Sequence, residues 1–219
     1  MTPETPHSPW PRPTASAFHG THVLVSRLDP DRDIDDLYAV SHGSAEDEAI
    51  WTYLWNGPFA SRQAMHAWLR SVRDSQDPLF YAVHSLALRK TVGVVSILNI
   101  VPEMGRAELG HIWYGRVAHK TRVNTETIFL LLSYLFDALR YRRVEWKCDN
   151  DNRESRRAAE RLGFRPEGLF RQHMIVKGKN RDTAWFSIID TEWETVRTNF
   201  ERYLASDSLS LTALNRREG

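Results

Sequence analysis

The sequence lacks most of the features that set a chain apart from ordinary globular proteins. Its 219 residues include one cysteine, Cys148, so an intrachain disulfide framework is excluded. No apolar run reaches the roughly 18 residues of a membrane span, and the N-terminus carries no signal-peptide core, so we expect a cytoplasmic protein without membrane contact. The net charge of +1 gives no reason to expect nucleic acid as a partner. We find no internal repeat, and the length favours one domain.

The two ends of the chain differ from its middle. Five prolines without apolar periodicity predict an extended or disordered tail over residues 1–19, to which we assign no catalytic role. Residues 205–219 are predicted to form a polar tail. The predicted domain therefore spans residues 20–204.

A cationic loop precedes the most apolar helix of the sequence. Apolar residues recur at the i, i+3, i+4 spacing from Ile128 to Leu139, which predicts a helix buried on most sides. The preceding loop, residues 119–124, reads HKTRVN, and no carboxylate lies between Glu108 and Glu126. Free N–H groups at a helix start, the helix dipole and nearby cations together predict an anion site. A solvated basic loop is the alternative.

Periodicity and turn residues predict the order strand, two helices, three strands, central helix, strand, short helix, two strands and final helix. The predicted strands are 22–28, 79–88, 91–101, 107–114, 143–148, 169–176 and 182–189. The predicted helix-start signals are Asp29 with Pro30, Ser61, Asp151 with Glu154, and Thr191 with Glu194. This order indicates a mixed α/β arrangement around one sheet. Cys148 alternates with Val144 and Trp146, which favours a buried structural thiol over a nucleophile.

Three stretches together resemble the GNAT acyltransferase superfamily. They are GHIWYGRVAHKTRVNTETIFLLL from residue 110, RRVEWKCDNDNRESRRAAERLGFRPEGLFRQHM from residue 142 and KGKNRDTAWFS from residue 177. The resemblance covers roughly residues 20–204 and is closest to the Rim-type ribosomal-protein N-terminal acetyltransferases. It implies a single GNAT-like α/β (α+β) domain, with a mostly antiparallel central sheet and helices on both faces. It also implies acetyl-CoA, or another acyl-CoA, as the cofactor.

The resemblance gives the cationic loop a role. In the superfamily this loop reads Q-x-x-G-x-G/A and holds the pyrophosphate through backbone N–H groups; here His119 stands for the glutamine, and Arg122 and Asn124 stand for the glycines. Without glycine we expect a slightly withdrawn phosphate, contacted by the Arg122 or Lys120 side chain; a site that no longer binds CoA is the alternative. The implied cofactor-binding residues are Ile112, Trp113, Tyr114, His119, Lys120, Arg122, Val123, Asn124, Thr125 and Asn152.

An amine that attacks a thioester must lose a proton, so a base is required. Glu108 matches the proposed base of the Rim-type enzymes, with a solvated strand-end carboxylate as the alternative. We rank His111 below it, because an odd offset puts His111 on the opposite strand face. Ser155 matches their proposed acid, three residues after Asn152, although a polar residue in a first helical turn needs no chemical role. The tyrosine acid of other members is absent, since Ala159 occupies its position.

The acceptor pocket is where the sequence is least informative. The resemblance places it between the first two helices and the last strands, near Tyr53, His173, Arg181 and Trp185. The substrate-binding candidates are Trp51, Trp55, His111 and Asp182. Core aromatics and a surface pair of Arg181 with Asp182 are the structural alternatives.

We therefore expect an acyl-CoA-dependent N-acyltransferase, with acetyl as the first choice of acyl group. The acceptor is expected to be an amine of a small molecule or a peptide N-terminus, which attacks the thioester directly. An O-acyltransferase, a GNAT-fold enzyme of another biosynthetic step and a catalytically silent acyl-CoA sensor or assembly module are the alternatives. Exposed aromatics are compatible with a homodimer.

Overall fold

The computed structural model describes residues 9–216, which fold around one eight-stranded sheet. The strands are β1 (Ala17–His19), β2 (Val23–Arg27), β3 (Leu79–Ser85), β4 (Lys90–Val101), β5 (Arg106–Tyr114), β6 (Arg143–Asp149), β7 (Arg165–Val176) and β8 (Lys179–Ile189). The helices are α1 (Pro30–Ser41), α2 (Ala45–Glu48), α3 (Arg62–Val72), α4 (Val123–Ser133), α5 (Arg153–Arg161), α6 (Asp190–Leu204) and α7 (Leu211–Asn215). The spatial order is β1-β2-β3-β4-β5-β6-β8-β7, and only β5 and β6 pair in parallel. The predicted mixed α/β class with a mostly antiparallel sheet is confirmed.

The sheet separates two hydrophobic cores because successive strand residues point to opposite faces. On β3, Leu79, Tyr81 and Val83 enter the larger core with α4 and α6, whereas Phe80 and Ala82 enter the smaller core with α1 and α3. Helices therefore cover both faces of the sheet, as predicted.

Local capping signals decide where several helices begin. Asp29 caps α1 and Ser61 caps α3, as the sequence predicts. The two predicted capping boxes are wrong. Asn152, rather than Asp151, caps α5 by accepting the Ser155 N–H group, and α6 already begins at Asp190.

The central helix α4 is as apolar and buried as its periodicity predicts. Ile128, Leu131 and Leu132 are fully buried, and the helix continues as a π-helical turn from Tyr134 to Ala138. Glu126, in its first turn, accepts the N–H groups of residues 21–23 at 2.6 to 2.9 Å. The carboxylate thereby fixes the turn between β1 and β2 against the start of α4.

Ordered structure extends into both stretches that the sequence reads as tails. Strand β1 lies within residues 1–19, and the Trp10 indole donates to the Arg140 carbonyl at 2.6 Å. Helix α7 lies within residues 205–219 and buries Leu211. Hydrogen bonds and a few apolar side chains hold these segments, and the sequence periods used for longer elements do not detect them. Residues 1–8 and 217–219 lie outside the described part of the chain.

Candidate active site

The sheet splits between its two parallel strands. Strands β5 and β6 pair over four residues only, ending with Leu109 opposite Trp146. Beyond that point β5 runs on to Tyr114 beside β4, and β6 runs on to Asp149 beside β8, but β5 and β6 no longer pair with each other. Backbone N–H and C=O groups along the two facing edges are therefore available to a ligand.

A cavity of about 420 Å³ opens at this split. Its lining residues come from β4, β5, β6, β7, β8, α5 and the loop after α2. They include Tyr53, Trp55, Asn99, Glu108, Gly110, His111, Ile112, Trp146, Lys147, Cys148, Asp149, Asn152, Ser155, His173, Arg181, Thr183 and Trp185. The predicted base and the predicted acid thus line one cavity, on different elements.

Glu108 is buried and fixed by two donors. Its Oε2 atom accepts from Asn99 Nδ2 at 2.6 Å and from Lys147 Nζ at 2.7 Å. Lys147 also contacts Glu145 at 2.9 Å. Burial acts to raise the pKa of Glu145, but hydrogen bonds from Lys147 and Arg143 outweigh it and lower that pKa. Glu108 is therefore the cavity-lining end of a buried charge network rather than a solvated carboxylate.

Ser155 lies on the opposite side of the split. Its Oγ atom accepts from the Trp146 indole at 3.0 Å, and its backbone N–H group is held by Asn152. Because Oγ is already an acceptor, its own hydrogen is directed elsewhere. Burial raises the pKa of the Cys148 thiol, against an opposing hydrogen bond with Ser155. Cys148 is thus the buried thiol that the alternation predicts, although it also lines the cavity.

A bulge in β5 changes where His111 points. The register with β4 shifts between Val94 and Ser96, and His111 has a φ of 49°. The alternation argument that put His111 on the face opposite Glu108 is therefore wrong, since both residues line the cavity. The Ser96 hydroxyl donates to the Gly110 carbonyl, so His111 Nδ1, 2.8 Å away, donates to Ser96. Burial lowers the pKa of His111 to about 4, which leaves a neutral imidazole with Nε2 as the acceptor.

The loop before α4 has the free donors that an anion site needs. Thr121 Oγ1 accepts the Val123 N–H group at 3.2 Å. Within residues 9–216, no acceptor is present for the N–H groups of Asn124 and Thr125. Lys120 is exposed and has a left-handed φ of 59°, and His119 Nε2 contacts the Tyr114 carbonyl at 3.0 Å.

Arg122 faces away from this loop. Its guanidinium donates to the carbonyls of Leu204 and Ser206 and to the Asp207 carboxylate, and it lies over the Tyr203 ring. The side chain thus binds the C-terminal end of α6, where unpaired carbonyls concentrate negative charge. An anion at the loop would meet backbone N–H groups without the Arg122 side chain in between, so the residues present fit the phosphates of CoA.

Most of the other predicted site residues either line the cavity or lie in the core. Trp55, Ile112 and Asn152 line the cavity. Trp51, Trp113, Tyr114 and Val123 are core residues, so their side chains are not available to a ligand. Asp182 does not line the cavity, and its carboxylate accepts the Gln172 N–H group at 2.7 Å.

Sequence reasoning missed two cavity residues, Asn99 and Lys147, which are hydrogen-bond donors to Glu108. Nothing in the local sequence marks them, because their roles depend on which strands become neighbours.

Known proteins resemble this chain over most of the described fold. The model of the acetyltransferase (GNAT) domain matches residues 22–165. The crystal structure of a GCN5-related N-acetyltransferase from Brucella melitensis is 41% identical, covers 94% of this chain and 97% of that one, and has a TM-score of 0.90.

Two curated relatives match a shorter stretch. The proposed ribosomal N-acetyltransferase YdaF of Bacillus subtilis is 30% identical over 102 residues, which are 47% of this chain and 55% of that protein. The uncharacterised N-acetyltransferase p20 of Bacillus licheniformis is 31% identical over 104 residues, which are 48% of this chain and 58% of that protein. The chain thus matches little more than half the length of these relatives. No helix among residues 9–216 is long and apolar enough to cross a membrane.

Proposed function

Because this chain belongs to the GNAT family of acetyltransferases, we propose that it transfers the acetyl group of acetyl-CoA to an amine of a small molecule or a peptide N-terminus. The observation that carries this proposal is the cavity at the split between β5 and β6. Glu108 lines it from β5, and Ser155 lines it from α5.

Acetyl-CoA, when bound, supplies an activated thioester. The free N–H groups of Asn124 and Thr125 would hold its phosphates, and the unpaired edge of β5 would hold its pantetheine arm. Backbone N–H groups of β5 would polarise the thioester carbonyl. Asn152 has a structural part in this arrangement, since it fixes the first turn of α5 and with it Ser155.

Two side chains then move protons. Glu108 accepts the proton of the attacking amine, directly or through water, and the Asn99 and Lys147 contacts hold its carboxylate in place. The Ser155 hydroxyl donates a proton to the departing thiolate, with the Trp146 indole fixing its oxygen. Neither role needs a residue outside the cavity.

Thiol release from acetyl-CoA with a panel of amines tests the activity. The panel includes peptides with free N-termini, because the relative YdaF is named as a proposed ribosomal N-acetyltransferase. Release with at least one amine is expected. Calorimetric CoA binding without turnover of any amine would contradict the proposal and favour the silent acyl-CoA sensor.

Glu108→Gln tests the base. Loss of a general base typically lowers kcat by about 10²- to 10⁴-fold, and we expect CoA affinity to change by less than about twofold because the phosphate loop is untouched. Glu103→Gln removes an exposed carboxylate outside the cavity and is the matched control. If Glu108→Gln and Glu103→Gln have the same kcat, Glu108 is not the base.

A further inference from the structure

Arg181 is a buried cation directed into the cavity. On β8, Arg181, Thr183 and Trp185 line the cavity, whereas Ala184 and Phe186 between and beyond them belong to the core of the other face. The strand therefore presents Arg181 to the same space that Glu108 and Ser155 line.

No group in the described part of the chain neutralises Arg181. The residue is only 9% exposed, its Nε atom is fully shielded without a hydrogen-bond acceptor, and no guanidinium nitrogen makes a hydrogen bond or ion pair within residues 9–216. The other lysine and arginine that line the cavity do have carboxylate partners. Lys147 contacts Glu108 and Glu145 and lies 4.0 Å from the Trp185 ring centroid, and Arg106 contacts Glu145 at 3.5 Å. The Arg181 guanidinium is thus a positive charge that faces the cavity and has no counterion within residues 9–216.

The neighbours of Arg181 do not supply the missing acceptor. His173 Nδ1 and Thr183 Oγ1 are bound to each other at 3.0 Å. Asp149 lines the cavity but accepts the Asp151 N–H group and makes no ion pair with Arg181. A guanidinium stays charged, and shielding it from water without a partner is unfavourable, so an anion that enters the cavity is favoured.

The surroundings favour an anion of single charge. A planar guanidinium matches a carboxylate through two parallel N–H···O bonds. Glu108 and Asp149 also line the cavity, and both would repel a dianion such as phosphate more strongly than a carboxylate.

We propose that Arg181 binds a carboxylate carried by one of the two reactants, either the amine acceptor or the acyl group. The assignment rests on the proposed function, in that the cavity is taken as the acyl-transfer site. It narrows the substrate class to amines with an acid group or to acyl donors derived from a dicarboxylic acid.

Binding of butyrate and of butyramide tests the site without turnover. Tryptophan fluorescence reports binding, because Trp55 and Trp185 line the cavity. We expect saturable binding of butyrate but not of butyramide, and an affinity for butyrate at least about tenfold lower in Arg181→Met. Arg171→Met removes an exposed arginine of β7 that does not line the cavity, and it should bind butyrate like the wild type. Arg181→Lys keeps the charge and should retain part of the affinity.

Two pairs of reactants identify the source of the carboxylate. The first pair is alanyl-alanine and its C-terminal amide, each tested as the acceptor with acetyl-CoA. The second pair is succinyl-CoA and butyryl-CoA, whose affinities are compared by equilibrium binding. We expect a preference of at least about tenfold for the charged member of one pair, and its loss in Arg181→Met without a change for the neutral member. A preference in the first pair assigns the carboxylate to the acceptor, and one in the second assigns it to the acyl group.

The outcomes that contradict the assignment differ from those that contradict the proposed function. Equal binding of butyrate and butyramide, or no preference in either pair, overturns the role of Arg181 even if amines are acetylated. Equal losses for charged and neutral members in Arg181→Met show a structural role and overturn it as well. Carboxylate binding that depends on Arg181, without turnover of any amine, supports the assignment and contradicts the proposed function.

Discussion

Replacing Glu126 by glutamine should destabilise the fold by about 2 to 4 kcal/mol. Oε2 accepts the N–H groups of His22 and Val23, and Oε1 accepts that of Thr21. The glutamine oxygen can still serve two of these donors, but its NH₂ group then faces the third. One hydrogen bond to a charged acceptor is lost, at about 1.5 to 3 kcal/mol, and the other two become weaker neutral bonds.

Urea unfolding and thermal unfolding, both followed by circular dichroism, measure this loss of stability. For a chain of this size, 1 kcal/mol corresponds to about 2 to 4 °C in Tm, so the melting temperature should fall by roughly 4 to 16 °C. Glu154→Gln is the matched control, because Glu154 is an exposed carboxylate in the first turn of α5 and shares only the helix-dipole contribution. Equal midpoints for Glu126→Gln and Glu154→Gln would refute the reasoning.

Three further predictions concern the loop, the bulge and the N-terminal segment. Arg122→Met should lower the urea midpoint but change calorimetric CoA affinity by less than about threefold, because the guanidinium binds the end of α6; a larger affinity loss with an unchanged midpoint would place Arg122 at the phosphates. Burial lowers the pKa of His111 from 6.5 to about 4, so between these two pH values the side chain is protonated in the unfolded chain and neutral in the folded one. As the pH falls from 6.5 to about 4, the free energy of unfolding of the wild type should therefore decrease by about 3 kcal/mol more than that of His111→Asn. Parallel urea-stability profiles would contradict that burial. Tyr134→Phe should increase proteolysis near Thr14 and Ala15, because the Tyr134 hydroxyl accepts the N–H groups of both residues. No change is expected at the C-terminus.

Local rules predict the parts of this fold that depend on neighbouring residues. Asp29 and Ser61 cap helices because a short polar side chain reaches N–H groups two or three residues away. The apolar spacing from Ile128 onward likewise identifies α4, since burial of one helix requires no knowledge of its partners.

The site depends on contacts that local rules do not contain. The Glu108–Lys147 contact joins residues 39 positions apart and exists only because β5 and β6 pair in parallel. His111 shows a second limit, because alternation holds only for a regular strand and one bulged residue reverses every face that follows. The catalytic roles of Glu108 and Ser155 remain predictions, whereas their common cavity is a property of the structure.

The contact between Arg122 and the end of α6 changes what a missing glycine means. In this loop the backbone N–H groups stay free for a ligand, while the Arg122 side chain binds residues 204–207 at the other end of the domain. A long cationic side chain at this position is therefore compatible with an open loop as long as residues 204–207 are in place. A sequence pattern that requires glycine at this position would not detect such chains. Removing residues 204–207 would leave the Arg122 guanidinium without these partners and free to move into the loop.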